Sequence, residues 1–99
     1  MDFKVIWSPR GVVTLGELVE YIAQDNPTAA RKMGEAVFQK SLLLGQHPRL
    51  GKVFAKLNRV DVREILVRPY RIIYHIQDSN RTITILTVWH GARQEPEIK

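Results

Sequence analysis

Residues 60–93 read VDVREILVRPYRIIYHIQDSNRTITILTVWHGAR. β-branched and aromatic residues dominate, and two clusters of turn formers interrupt them. The pattern predicts three strands, at about 61–67, 70–77 and 82–89, with Pro69 in the first turn and Asp78-Ser79-Asn80-Arg81 in the second. Arg71, His75, His90 and Arg93 stand among these apolar residues. A small domain has little surplus stability to give to polar strand residues, so charges here suggest a working surface.

The turns set a register. If Arg68-Pro69 is a two-residue loop, Val67 faces Tyr70. If Ser79-Asn80 is the next, Arg71 lies across from Val88 and diagonal to His90. Alternation then sorts the side chains. One face carries Ile65, Val67, Tyr70, Ile72, Tyr74, Ile76, Ile83, Ile85, Thr87 and Trp89. The other carries Val62, Glu64, Leu66, Arg71, Ile73, His75, Gln77, Thr82, Thr84, Leu86, Val88 and His90. The first face is expected to be covered and the second open. A one-residue slip in either turn would exchange these assignments.

Upstream, Phe3–Trp7 reads as a short strand. Ser8-Pro9 then offers an N-cap followed by proline at the first helical position. Val12, Leu15, Leu18, Val19 and Ile22 follow at helical spacing. Asp25-Asn26-Pro27 ends that helix, and a second runs from about Pro27 to Gln46 with Ala30, Met33, Val37 and Leu44 on its apolar stripe. The connector from His47 to about Val60 is long for a structureless loop, which predicts order or function within it. The order β-α-α-β-β-β predicts an α+β domain spanning residues 1–99, a helical hairpin packed on one face of an antiparallel sheet.

Composition narrows the function classes. The 99 residues, 44% hydrophobic, suit a single domain with a modest core. The net charge of +5 is localised: Arg49, Lys52, Lys56, Arg59, Arg63, Arg68 and Arg71 face only Asp61 and Glu64 between positions 49 and 71. Such a segment is either a contact for an acidic or polyanionic partner or a solvated basic surface. The absence of cysteine excludes disulfides, thiolate metal sites and a cysteine nucleophile, and fits a reducing cytoplasm. The three histidines are far apart in sequence, so no metal site is expected, and nothing calls for a cofactor. Neither a signal peptide nor a membrane span is expected, since the apolar runs are well short of the roughly 20 residues a bilayer needs.

Glu64, Arg71 and His90 have two readings. An acid or base, a cation and an imidazole placed together could cleave RNA, with arginine stabilising the phosphorane. Alternatively Arg71 pairs with Glu64 across the strands and His90 caps the sheet edge. His75, between Tyr74 and Ile76, reads as a plain strand residue.

Several short motifs recur together along nearly the whole chain. They are Trp7-Ser8-Pro9, Asn26-Pro27-x-Ala29-Ala30, His47-Pro48-x-x-Gly51, Val62-Arg63-Glu64, Tyr70-Arg71-Ile72-Ile73-Tyr74 and Val88-Trp89-His90-Gly91-Ala92-Arg93. In this order they resemble the RelE/ParE superfamily of toxins from bacterial type II toxin–antitoxin modules, often called plasmid stabilisation proteins. The resemblance implies the β-α-α-β-β-β fold and a cognate antitoxin partner. RelE-type members cut mRNA on the ribosome, and ParE-type members inhibit DNA gyrase. Arg71 and Arg93 resemble the RelE pattern, but Val62 and Glu64 stand where its paired lysines would be and Glu97 where its tail tyrosine would be. A partial likeness to YoeB-like nucleases rests on Glu64, Arg71 and His90, with Gly91 in place of their aromatic. The Val62-Arg63-Glu64 strand and the Trp89-to-Arg93 ending look more like ParE. The resemblance therefore implies a gyrase-binding toxin without a catalytic centre. An mRNA endoribonuclease using Glu64, Arg71, His90 and Arg93 is the alternative, and an inactive antitoxin binder the third reading. The expected antitoxin contact is the open face around Arg71, Leu86, Val88 and His90.

Overall fold

The computed structural model describes residues 2–91. Strand β1 (Lys4–Trp7) leads into helices α1 (Pro9–Ala23) and α2 (Pro27–Gln46); β2 (Lys52–Phe54), β3 (Arg59–Val67), β4 (Tyr70–Gln77) and β5 (Thr82–His90) follow. The helical hairpin packs on one face of a five-stranded sheet of order β1-β5-β4-β3-β2. Both helices start as expected: Ser8 Oγ accepts from the Gly11 N–H at 2.9 Å and Asn26 Oδ1 from the Ala29 N–H at 3.0 Å, each followed by proline.

Two features go beyond the expected meander. β1 lies parallel to β5, with Lys4 opposite Thr82 and Trp7 opposite Ile85, so the sheet is mixed. The connector contributes β2, antiparallel to β3, as a fifth strand. Its anchor is Tyr74, whose hydroxyl donates to the Pro48 carbonyl at 2.8 Å and accepts from the Gly51 N–H at 2.9 Å. Burial raises the Tyr74 pKa, which keeps the phenol protonated as a donor. Gly51 is required by close approach, because a Cβ there would stand 2.5 Å from the Glu64 carbonyl oxygen. The His47-Pro48-x-x-Gly51 motif is thus a splice that holds β2 to the sheet.

The β3–β4 hairpin keeps the predicted register from Val67↔Tyr70 to Val62↔His75. Ile72, Tyr74, Ile76, Ile83 and Ile85 are buried against Leu18, Val37 and Leu44 of the helices. Val12, placed on the core stripe by its spacing, is 58% exposed. A second cluster on the opposite face joins Phe54, Val62 and Ile73, flanked by Leu57, Leu86 and Trp89. The connector therefore roofs part of the face that alternation left open.

Candidate functional site

The decisive departure lies in β5. Its pairing with β4 follows expectation from Gln77↔Thr82 to Tyr74↔Ile85, then shifts so that Ile73 meets Thr87, Arg71 meets Trp89 and Tyr70 meets His90. One extra residue, Leu86, enters the strand as a β-bulge. Every side chain beyond it changes face.

Helix α1 makes this bulge possible. A bulge leaves backbone groups without ladder partners. Ser8 Oγ donates to the Leu86 carbonyl at 3.1 Å, and the Val88 N–H donates to Thr14 Oγ1 at 3.0 Å. Gly11 lets the first turn of α1 come this close, since a Cβ there would stand 2.6 Å from the Ile85 carbonyl oxygen. Ser8, Gly11 and Thr14 are the signal that strand periodicity could not supply: they lie more than 70 residues upstream.

The shift divides the residues predicted to act together. Arg71 and Glu64 meet on the face away from the helices, with Arg71 Nη1 2.9 Å from Glu64 Oε1. The Glu64 side chain is 4% exposed and that of Arg71 29%. The guanidinium lies 5.7 Å from the centre of the Trp89 ring, a cation–π contact. Trp89, expected beneath the helices, instead meets Phe54 edge-on at 6.3 Å on this opposite face. The Arg71 Nε is buried and finds no hydrogen-bond partner among the described residues.

His90 is on the other side. Its ring packs edge-on against Tyr70 at 5.3 Å, on the helix-covered face. The expected Glu64–Arg71–His90 trio therefore does not assemble, and the sheet separates the imidazole from the ion pair. Val88 is likewise corrected: it is 2% exposed within the helix-side core, so it is not part of an open surface. Of the four residues expected to contact an antitoxin, Arg71 and Leu86 remain together on the partly open face. Arg93, the fourth residue of the nuclease reading, lies outside the described residues. His75 is more than a plain strand residue, since its Nε2 sits 3.0 Å from Asp61 Oδ2.

The basic segment is partly absorbed by the fold. Arg49 pairs with Asp78 at 2.7 Å and Arg59 with Asp61 at 2.6 Å. Arg63 donates to the Gly51 carbonyl at 3.0 Å. The first two pairs are exposed and weak, so they neutralise charge more than they stabilise. Lys52 stands cross-strand from Glu64, which extends the positive flank of the ion pair. The arrangement is a charged and aromatic surface bordered by exposed Leu66, suited to binding an extended segment with both acidic and apolar side chains.

Relatives place this geometry in a family. A family model described as the ParE toxin of the type II toxin–antitoxin system parDE matches residues 5–95. Toxin RelE2 of Caulobacter vibrioides is 30% identical over 91 residues, covering 91% of this chain and 97% of that protein. A chain of the RelBE2 toxin–antitoxin complex from Mycobacterium tuberculosis shares the fold with a TM-score of 0.68 at 23% identity, covering 94% of this chain and 95% of that one. A chain of the chromosomal ParDE system from P. aeruginosa reaches 0.71 at 19% identity, covering 89% and 95%. On the strength of the family match across nearly its full length, the chain belongs to the ParE toxin family of type II toxin–antitoxin systems, within the RelE/ParE superfamily.

Proposed function

We propose that this toxin acts by binding, with DNA gyrase as its target, and that a cognate antitoxin neutralises it. The single observation that supports binding over catalysis is the bulge at Leu86. It holds His90 against Tyr70 on the helix side, while Glu64 and Arg71 are committed to each other on the opposite side. General acid–base cleavage of RNA needs these groups converging on one phosphodiester. The family model, named for ParE, supports the choice of gyrase, and the RelE2 relative keeps ribosome-dependent mRNA cleavage as the second reading.

The antitoxin is held on the face of Arg71, Leu86, Trp89 and Leu66. A partner segment carrying Glu and Leu would meet the guanidinium and the apolar border together. The product of a small reading frame adjoining this one is the natural binding partner to test. Arg71→Glu is expected to weaken that complex in a titration, and unchanged affinity would remove this surface from the interface.

The target is tested in two parallel assays. Purified toxin is expected to inhibit gyrase supercoiling, with His90→Ala within a few-fold of the parent. A nuclease that used His90 as acid or base would lose about 10²–10⁴ in cleavage rate on the same change. Codon-phased mRNA cuts on induction that vanish in His90→Ala, with gyrase unaffected, would overturn the gyrase reading.

A further inference from the structure

The bulge that removes His90 from the charged face also builds a second feature. A groove of about 570 Å³ opens between α1 and the end of β5. Glu17, Leu18, Glu20 and Tyr21 of α1 form one wall, and Tyr70 and His90 lie across from them. Its apolar part comes from nearly buried side chains, Leu18 at 7% and Tyr70 at 6% exposed. Tyr21, by contrast, is 62% exposed at the rim. Among the described residues that line the groove none is Lys or Arg, although the chain as a whole carries +5.

We propose that this groove receives an arginine, with its apolar neighbours, from an extended segment of a partner protein. Charge complementarity selects the occupant. Glu17 and Glu20, three residues apart on one helix, lie on the same side and present carboxylates to forked N–H donors. The exposed Tyr21 ring supplies a face on which a planar guanidinium stacks, and the apolar floor takes the methylene stem. The volume, within the usual range of about 300–1,000 Å³ for built sites, exceeds a single side chain, which favours a peptide segment over a free cation. This surface lies on the other side of the sheet from Arg71, so the proposal stands apart from the gyrase and antitoxin readings.

The test uses the isotope-labelled full chain and a blocked leucine-arginine-leucine tripeptide. Saturable NMR shifts are expected at the amides of Tyr21 and His90. The same peptide with neutral citrulline in place of arginine should bind about tenfold more weakly or worse, the scale of one charge-assisted hydrogen bond. Glu17→Gln with Glu20→Gln should weaken the arginine peptide by a similar factor, and Tyr21→Ala should weaken both peptides. All three substitutions are at exposed helix positions, and the spectrum itself verifies the fold. Equal binding of the two peptides, shifts centred on Leu66 and Arg71, or unchanged binding in the double variant would each overturn the proposal.

Discussion

On the helix-covered face of the sheet, Ile72, Tyr74, Ile76, Ile83 and Ile85 interlock with Leu18, Val37 and Leu44. On the opposite face a smaller cluster of Phe54, Val62 and Ile73 borders an ion pair, Glu64–Arg71, and a half-buried tryptophan. The first face is held by area removed from water. The second combines a modest apolar patch with charge that the fold has only partly neutralised. The difference teaches that stability is concentrated on one side of the sheet, while the other keeps charge and partly exposed apolar area at its surface. The bulge in β5 decides which residues serve which side.

The comparison is broken most forcefully on the covered face. Ile85→Ala should cost about 2–5 kcal/mol in urea unfolding, because it empties a fully buried site between sheet and helices. A loss below 1 kcal/mol would mean that this face is not the main source of stability. On the other face, Glu64→Gln should cost about 1–3 kcal/mol, since it leaves a partly buried guanidinium without its carboxylate. Arg49→Ala, which breaks the exposed pair with Asp78, should leave the urea midpoint nearly unchanged. Equal costs for these two would erase the distinction between the ion pairs.

The bulge itself is probed by Thr14→Val, which removes the acceptor for the Val88 N–H. The expected loss is about 1–2 kcal/mol, within the range for a buried donor left unpaired. Loss of NMR contacts between Tyr70 and His90 would show that β5 had slipped into the unbulged register. Their retention with no change in stability would show that Thr14 does not hold the bulge.

The smallest effect concerns acid. Asp61 has its pKa lowered to about 2, chiefly by the hydrogen bond from Arg59 and further by that with His75. A folded-state pKa below the unfolded one adds stability that is fully present above about pH 4 and is lost as pH falls toward 2. Asp61→Asn should remove that part of the acid dependence and leave the rest of the profile in place. An unaltered profile between pH 4 and 2 would mean that Arg59 and His75 do not favour the carboxylate.

Local chemistry made much of this molecule legible from sequence. Ser8-Pro9 and Asn26-Pro27 announce the helix starts because the cap and its target N–H lie three residues apart. The Arg68-Pro69 loop fixes the β3–β4 register because a tight turn leaves no freedom in which residues face each other. Alternation from those turns correctly buried Tyr74, Ile76, Ile83 and Ile85 and placed Glu64 beside Arg71.

Three matters were left to tertiary structure. The parallel seat of β1 beside β5 and the extra residue at Leu86 depend on partners far along the chain, and the strand hidden in the connector is seated by Tyr74, well downstream of it. The bulge is the sharpest case. Nothing within Thr82–His90 marks Leu86 as unpaired, and an unbroken ladder satisfies the same local rules. Only when Ser8, Gly11 and Thr14 arrive on α1 do the Leu86 carbonyl and the Val88 N–H gain other partners. Sequence periodicity determined that β5 has two faces. The helix that docks on it decided where His90, Val88 and Trp89 point, because a backbone group can leave its ladder only when another element satisfies it.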